Sequence, residues 1–242
     1  MIAIKTIGLT KKYGQLTAVD HLDLEIQQGE LFSLLGINGA GKSTTIKMLT
    51  GLSKPTSGAA FVGGHNVMES PWKVRSIIGL SPQETAVAPN LTVKENLALI
   101  CSIYGFTKEK TTIKTKELST QLGLDGVISK KAGKLSGGMQ RRLSLAMALI
   151  SEPEVLFLDE PTLGLDVIAR SELWDLIRKL KGSVTIILTT HYMEEAETLS
   201  DRIGIMKDGK LLITDTAKSL MEQTGTAKFE DAFIAIVKEG KR

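Results

Sequence analysis

The sequence contains little cysteine and no long hydrophobic run. Its single cysteine, Cys101, excludes an internal disulfide and a cysteine-based metal cluster. Its apolar runs are all shorter than the roughly 18 residues that cross a bilayer as a helix. Residues 1–5 also lack the charged-then-apolar order of a signal peptide. We therefore expect a soluble, intracellular protein that does not insert into a membrane by itself.

A strong charge of one sign is also missing. The chain carries 30 lysine and arginine residues against 27 aspartate and glutamate residues, a formal net charge of +3. Because the two signs are interspersed, we expect no nucleic-acid partner. The 242 residues suit one domain, or one domain with a sub-domain, and allow a sizeable core.

The sequence does contain a glycine-rich loop, Gly-Ile-Asn-Gly-Ala-Gly-Lys-Ser-Thr, at residues 36–44. The loop fits the phosphate-binding pattern G-x-x-x-x-G-K-[ST] at every fixed position. The apolar run 31–35 before it is typical of a buried parallel strand, and apolar residues at helical spacing follow it as far as Gly51. Strand, glycine loop and helix form the context that the motif requires. The alternative is a glycine-rich turn that caps a helix and binds nothing.

The residue types of this loop suit a polyphosphate. Its glycines have no Cβ, so the backbone can approach phosphate oxygens closely. The loop N–H groups and the start of the following helix present partial positive charge. Lys42 is expected to reach the β- and γ-phosphates, and the Ser43 hydroxyl to ligate Mg²⁺ with Thr44 in support. The predicted phosphate-binding residues are Gly36, Ile37, Asn38, Gly39, Ala40, Gly41, Lys42, Ser43 and Thr44.

Two isolated residues in the first part of the chain are further candidates. Tyr13 lies beside a turn in a stretch predicted to be β structure, residues 2–35. A base stacked on such a ring gains roughly 1–3 kcal/mol, although ordinary packing is the alternative. Gln83 follows the predicted strand 77–80, where its amide oxygen could reach a metal or a water. A polar loop residue without such a role is the alternative there.

Residues 89–150 differ from the rest of the chain because strand-like runs vanish and helical periodicity appears. Thr92 followed by Glu95 forms a capping box, which predicts the start of a helix. We interpret this stretch as a helical sub-domain inserted into an α/β core. The predicted organisation is a core of residues 1–88 and 151–215 with an N-terminal β layer, a helical sub-domain of residues 89–150 and a short helical tail of residues 216–242.

The helical stretch contains the sequence Leu-Ser-Gly-Gly-Met-Gln at 135–140, directly before a strongly helical run. A serine and two glycines at a helix start form a second backbone anion site. We expect Arg141 and Arg142, which follow, to be packing or surface charges rather than ligands. The candidate ligands here are Ser136, Gly137 and Gly138.

Two acids follow the next predicted strand. Four apolar residues at 155–158 indicate a strand buried on both faces, and Asp159 and Glu160 come directly after them. Open parallel sheets bind their ligands at the C-terminal ends of the strands. Asp159 is therefore predicted to hold Mg²⁺ through water, and Glu160 to orient or deprotonate a water. The alternative is a helix N-cap acid together with a surface acid.

A histidine ends a third predicted strand. The apolar run 184–188 continues into Thr-Thr-His, which places His191 at the same sheet edge as the loop and the acids. A lone histidine is usually structural, but this position favours a contact with a γ-phosphate.

Taken together and in order, these motifs resemble the ATP-binding cassette family, the nucleotide-binding subunits of membrane transporters. The resemblance runs from Tyr13 to beyond the last strand, and the motif at 135–140 is highly specific for the family. It implies that Tyr13 stacks on adenine and that Gln83 senses Mg²⁺ and contacts a permease. It also implies that Glu160 is the general base and His191 the switch histidine.

The resemblance also implies a fold and an assembly. The fold is that of a P-loop NTPase: a RecA-like α/β core with a mainly parallel sheet, an N-terminal antiparallel β layer and an inserted α-helical sub-domain. The assembly is a head-to-tail homodimer or pseudo-dimer that binds ATP and Mg²⁺ between one phosphate loop and the partner's Ser136–Gly138. Asp166 matches a loop that communicates across the dimer. Ile37 stands where many members have proline, at a free position of the motif.

By the same resemblance the chain is an ATP hydrolase that powers transport through separate integral membrane permease subunits. It would lie in the cytoplasm, peripheral on the inner face of the cell membrane. The run 82–93 and the tail resemble exporters of drugs, antibiotics or sodium, and an amino-acid importer subunit is the alternative. A second class is a cassette ATPase without a permease, such as an iron–sulfur assembly ATPase.

Overall fold

The computed structural model describes residues 1–239, which form two β-sheets with helices packed against them. Within that range the strands are β1 (Ile2–Tyr13), β2 (Leu16–Gln27), β3 (Leu31–Gly36), β4 (Ser57–Val62), β5 (His65–Asn66), β6 (Ile78–Ser81), β7 (Val155–Asp159), β8 (Thr185–Thr190), β9 (Arg202–Lys207) and β10 (Lys210–Asp215).

Helices connect or follow these strands. None of those in residues 1–239 is long and apolar enough to cross a membrane. The α-helices of the described range are α1 (Lys42–Leu49), α2 (Pro71–Ile77), α3 (Val93–Ile103), α4 (Lys108–Gln121), α5 (Gly137–Leu149), α6 (Val167–Leu180), α7 (Met193–Leu199), α8 (Ala217–Thr224) and α9 (Phe229–Glu239).

The larger sheet has the strand order β10-β9-β3-β8-β7-β6, and all its pairings except β10 with β9 are parallel. Strands β3, β7 and β8 are buried along their whole length, which explains why they read as largely apolar runs. Parallel pairing brings the C-terminal ends of these three strands to one edge. The register sets Asp159 beside Thr189 and Leu35 beside Thr190.

The smaller sheet has the order β2-β1-β4-β5 and is antiparallel throughout. Along β2, buried Leu22, Leu24 and Ile26 alternate with exposed residues, because one face packs on the core and the other meets solvent. The buried face shares a hydrophobic cluster with Phe32 of β3 and Ile46 of α1. The predicted parallel core sheet and N-terminal antiparallel layer are thus confirmed.

Between β6 and β7 the chain is helical, and this fully described stretch contains α3, α4, α5 and two short 3-10 turns. The predicted capping box starts α3: the Thr92 hydroxyl accepts from the Glu95 N–H, and the Thr92 N–H donates to Glu95 Oε2 at 2.7 Å. Buried residues of α3 and α5, including Leu97 and Leu143, share one cluster with Leu156 of β7. The helices therefore rest directly on the parallel sheet.

The last two helices pack on the same face of the parallel sheet as α3 and α5, because Leu31 and Leu35, which contact the two groups of helices, point to one side of β3. Leu220 of α8 and Phe229 and Phe233 of α9 form a buried cluster with Leu35 of β3 and Ala196 of α7. The apolar side chains of these two helices are therefore buried inside this molecule. Residues 240–242 of the predicted tail lie outside the described residues. The division of the chain into core, sub-domain and tail stays a prediction.

Candidate active site

The glycine-rich loop joins β3 to α1 and needs its glycines for its own packing. A Cβ on Gly36 would lie 2.4 Å from the Met206 carbonyl oxygen, and one on Gly41 would lie 2.4 Å from the Ala18 carbonyl oxygen. Gly39 and Gly41 have φ values of +84° and +102°, in the region that favours glycine. Within residues 1–239, no side chain caps the start of α1. Its first N–H groups therefore stay available to an anion.

A cleft of about 660 Å³ opens at this loop, at the C-terminal edge of the parallel sheet. Tyr13 stands in its wall with half of its side chain exposed, and the Lys11 ammonium lies 4.8 Å from the ring centroid. The cleft is also lined by residues predicted from four separate stretches of the chain, namely Asn38, Gly39, Ala40, Gly41, Lys42, Ser43, Thr44, Gln83, Glu160 and His191.

Lys42 and Glu160 form a buried pair at the floor of the cleft. The Lys42 ammonium lies 3.2 Å from Glu160 Oε1 and donates to the Gly36 carbonyl at 2.8 Å. The other carboxylate oxygen, Oε2, lies 2.8 Å from Nδ1 of His191. Glu160 is 5% exposed and has a φ of +50°, a conformation that costs about 1–3 kcal/mol and is often retained at functional sites. The carboxylate is thus fixed from two sides.

Asp159 is buried beside Ser43, which lines the cleft. The Ser43 hydroxyl donates to Asp159 Oδ1 at 3.0 Å. The Thr189 hydroxyl donates to the same oxygen and accepts from the Glu160 N–H at 3.0 Å. A carboxylate and a hydroxyl side by side form an oxygen-rich donor set of the kind that suits Mg²⁺.

The second predicted anion site lies outside the cleft. Ser136 caps α5 by accepting from the Met139 N–H at 3.3 Å, and Gly137 and Gly138 form the first turn of the helix. Ser136 and Gly137 are exposed to solvent. A Cβ on Gly138 would lie 3.1 Å from the Ala169 Cβ of α6, so this loop packs closely on the start of that helix.

Asp166 also lies outside the cleft, as the N-cap of α6. Its carboxylate accepts from the Ala169 N–H at 2.9 Å. Val167 and Ile168 follow it and are 77% and 73% exposed. Ile37 is likewise half exposed and does not line the cleft. The structure therefore gathers the loop, the acids and the histidine into one site, and leaves the serine-glycine motif and Asp166 on the surface.

Sequence reasoning missed three residues that this site depends on. Thr189 bridges Asp159 and Glu160, and this contact follows from the register of β8 against β7, which no pattern in the sequence revealed. Arg141, expected to be a packing or surface charge, is 5% exposed and donates to the backbone carbonyls of Pro82 and Gln83. No sequence signal distinguished it from Arg142, which forms an ion pair with Glu172.

The third missed residue is Glu195 of α7, which is fully buried. Its Oε1 accepts from the Thr162 hydroxyl at 2.8 Å and from the Trp174 indole at 3.0 Å, while Oε2 has no hydrogen-bond partner among residues 1–239. Burial raises the pKa of the Glu195 carboxyl, and the nearby Glu160 carboxylate adds to the rise. Glu195 ties the segment after Glu160 to the helix after His191.

The fold and the cleft define a phosphate-loop nucleotide-binding domain. Residues 19–163 match the family described as "ABC transporter", which covers more than half of the chain. The chain belongs to the ABC transporter family and carries its ATP-binding cassette. The predictions of the family and of the P-loop NTPase fold are confirmed.

Curated relatives match nearly the whole chain. It is 41% identical over 240 residues to the probable multidrug ABC transporter ATP-binding protein YbhF of Escherichia coli, covering 97% of this chain and 41% of that protein. It is 42% identical over 224 residues to the daunorubicin resistance ATP-binding protein DrrA3 of Streptomyces coeruleorubidus, covering 92% of this chain and 71% of that protein. The chain thus spans less than half the length of YbhF.

Solved structures agree with the described architecture. CbiO1 of Clostridium perfringens, part of the ABC transporter complex cbiONQ, has a TM-score of 0.84 at 26% identity, with 92% of each chain covered. The ATP-binding cassette MJ0796, in a dimeric post-hydrolysis state bound to ADP and Pi, has a TM-score of 0.79 at 28% identity. The likeness covers 88% of this chain and 98% of that one.

Proposed function

We propose that this chain binds and hydrolyses Mg·ATP as one half of a head-to-tail dimer, and so powers export through a separate integral membrane permease. The observation that carries the proposal is that the predicted nucleotide-binding residues lie in two separate places on one subunit. The cleft holds Lys42, Glu160 and His191, whereas Ser136–Gly138 faces solvent on another part of the subunit. The names of the curated relatives support export of drugs or antibiotics, and the dimeric structural neighbour supports the assembly.

Nucleotide binding begins with the loop. The uncapped N–H groups of α1 and the Lys42 ammonium offer positive charge to the phosphates, and the exposed Tyr13 ring offers a stacking surface for adenine. Lys42 is paired with Glu160 in the structure described here. A β- or γ-phosphate would compete for that ammonium and free Glu160 for chemistry.

The side-chain oxygen atoms beside the loop are suited to bind Mg²⁺. Ser43 and Asp159 already share a hydrogen bond, so their oxygens lie within one small volume, and Gln83 lines the same cleft. We assign Ser43 and Gln83 as direct ligands and Asp159 as a ligand through water. The bound ion would neutralise charge on the phosphates during transfer.

Hydrolysis needs a base next to the γ-phosphate. In our proposal Glu160 takes a proton from water as the water oxygen bonds to the γ-phosphorus and the bond to the β–γ bridging oxygen breaks. His191, at 2.8 Å from Glu160 Oε2, holds that carboxylate and contacts the γ-phosphate. A general base of this kind contributes about 10²–10⁴ in rate.

The partner subunit would supply what the cleft lacks. Ser136 and Gly137 are exposed at the start of α5, and Val167 and Ile168 form an exposed apolar patch beside Asp166. Burying this patch against a second copy would add hydrophobic stabilisation to the contact that Ser136–Gly138 makes with the partner's phosphates. ATP in both clefts would therefore close the dimer, and loss of the γ-phosphate would open it.

A permease would dock at a groove between β6 and helices α3 and α5. The groove has a volume of about 390 Å³ and includes Leu52 and Ile103, which are 65% and 70% exposed. Pro82, next to Gln83, forms part of its wall, so a segment inserted here would sense the cleft. An apolar cytoplasmic segment of the permease is the occupant we propose, which would keep the chain on the inner face of the membrane.

Glu160→Gln tests the proposed function directly. The variant keeps the size of the side chain but loses the base, so turnover should fall by about 10²–10⁴ while ATP still binds. Light scattering should show an ATP-held dimer of the variant with Mg·ATP and a monomer with Mg·ADP. Parental turnover, or a monomer that binds ATP without dimerising, would show that the proposal is wrong.

Cross-linking tests the docking groove. A photo-reactive residue at position 103 should attach the chain to an integral membrane protein in native membranes, whereas one at Ile234, exposed on α9, should not. Equal labelling from both positions would exclude the groove as the docking site.

A further inference from the structure

Arg141 makes an unusual set of contacts for a charged side chain on a helix. It lies on α5 and is 5% exposed. Its Nη1 donates to the Pro82 carbonyl oxygen at 2.6 Å, and its Nη2 donates to the Gln83 carbonyl oxygen at 2.8 Å. One planar guanidinium thus holds two consecutive carbonyls of the loop that carries Gln83.

The charge of Arg141 is not needed for an ion pair. Among residues 1–239 no carboxylate lies within salt-bridge distance of it, whereas Arg142 pairs with Glu172. Burial lowers the pKa of Arg141, and the carboxylates of Asp159 and Glu195 oppose that shift from a distance. A buried cation is costly unless its hydrogen bonds are satisfied, so the two loop carbonyls account for its placement here.

The remainder of α5 is attached to the same strand and loop. The hydroxyls of Ser144 on α5 and Ser81 at the end of β6 share a buried hydrogen bond of 2.9 Å. A Cβ on Gly79 of β6 would lie 2.2 Å from the Ala148 carbonyl oxygen of α5, which shows how closely the two backbones pack. Helix α5 and the Gln83 loop therefore form one stiff unit.

The unit of α5 and the Gln83 loop reaches both parts of the subunit that we propose to contact nucleotide. Gln83 lines the subunit's own cleft, and the start of α5 presents Ser136–Gly138 to solvent. Arg141 lies five residues after Ser136, about 7.5 Å along the helix axis, so it joins the Gln83 loop to the start of α5 over a short distance.

We propose that Arg141 is a positioning residue that couples the two ATP sites of the dimer. It fixes the loop that senses nucleotide in one cleft to the helix that contacts nucleotide in the partner's cleft. Nucleotide bound at Gln83 thereby places Ser136–Gly138 correctly for the other site, and the two sites bind and hydrolyse cooperatively. The inference rests on the ATP-bridged dimer proposed above.

The test compares Arg141→Met with Arg142→Met, a matched change one residue along the same helix. Arg141→Met removes the donors and keeps an apolar stem. We expect nucleotide affinity of the monomer to stay within about twofold, the apparent affinity of the dimer for ATP to weaken by about 5- to 150-fold, the usual range of allosteric coupling, and turnover to fall. The Hill coefficient for ATP should drop from its parental value to about 1. Arg142→Met should keep the parental Hill coefficient.

A conservative variant and a double-mutant cycle separate positioning from mere folding. Arg141→Lys can still donate to a loop carbonyl, so it should recover part of the cooperativity. If Arg141→Met does not fold, Arg141→Lys takes its place: a Hill coefficient below the parental value supports the coupling, and the parental value contradicts it. In a Gln83→Ala background, Arg141→Met should cost little further turnover, because its effect acts through that loop. Additive losses would assign Arg141 a structural role.

Failure of this proposal can be told from failure of the dimer. If the parental chain forms no dimer with Mg·ATP, the proposed function itself is wrong. If the parental dimer forms but its Hill coefficient is about 1, or Arg141→Met keeps the parental coefficient, the coupling through Arg141 is wrong.

Discussion

The two halves of the ATP site are built differently within one subunit. The half at the phosphate loop is buried and cross-linked by hydrogen bonds among Lys42, Ser43, Asp159 and Glu160. The half at Ser136 is the exposed start of α5, where the Ser136 hydroxyl accepts from the Met139 N–H of the same helix. The first half can bind a polyphosphate with its own residues, while the second gains an anion only when a partner presents one. The first therefore sets affinity and chemistry, and the second sets assembly.

The largest expected effect is that of removing the central charge of the first half. Lys42→Ala deletes the cation that faces the phosphates and leaves the buried Glu160 carboxylate with His191 as its one remaining partner of the two described above. We expect nucleotide binding to weaken strongly and hydrolysis to be abolished, measured by fluorescent-nucleotide titration and phosphate release. Near-normal turnover in this variant would show that the loop does not bind the phosphates.

A change in the second half should affect assembly and spare binding. Ser136→Arg places a bulky side chain where the partner's phosphate would approach. The monomer should bind ATP with nearly parental affinity, but Mg·ATP should no longer produce a dimer on a sizing column. If the variant still dimerises with a slowly hydrolysed ATP analogue, the two halves do not meet across a dimer.

Thr189→Val tests whether the hydrogen bonds that hold the two acids of the first half in place matter for turnover. The substitution keeps the shape of the side chain but removes the hydroxyl that bonds Asp159 and Glu160. Loss of buried bonds of this kind costs about 1–3 kcal/mol, so turnover and unfolding free energy should both fall. Thr190→Val is the matched change one residue along, where the hydroxyl accepts from the Tyr192 N–H instead. Equal turnover losses in both variants would argue against a special role for Thr189.

Asp166→Ala should have a smaller effect, confined to the second half. The variant loses the N-cap of α6, worth about 0.5–2 kcal/mol of unfolding free energy. Monomer affinity for ATP should not change, since Asp166 lies outside the cleft, and Asp166→Asn should retain most of the stability. A change in monomer affinity would show that Asp166 belongs to the first half. Urea unfolding and nucleotide titration measure the two quantities.

The smallest expected effect concerns pH. Burial raises the pKa of Glu195 in the folded chain. Over a range of pH the folded chain therefore keeps a proton on Glu195 that the unfolded chain has already released. The parental unfolding free energy should therefore fall as pH rises above the unfolded value of about 4.3, up to the folded pKa. Glu195→Gln, which keeps the two accepted bonds at the oxygen, should lack this slope. Parallel pH profiles of the two proteins would contradict the assignment.

Much of the fold and of the first half-site could be predicted because the signals are local. The glycine loop, the capping box at Thr92 and the apolar strands are short patterns whose physical cause lies within a few residues. The strand ends also placed Asp159 and His191 at one edge, since parallel strands end together. The roles assigned to these residues stay predictions until the variants are measured.

The sequence by itself determined the family, the layers of the fold and the residues that meet in the cleft. The tertiary structure decided the partners of those residues. It set Thr189 beside Asp159 through strand register, turned Arg141 toward the Gln83 loop and buried Glu195 against Thr162. The physical reason is that a hydrogen bond between distant segments depends on packing and register, which no local pattern of residues encodes.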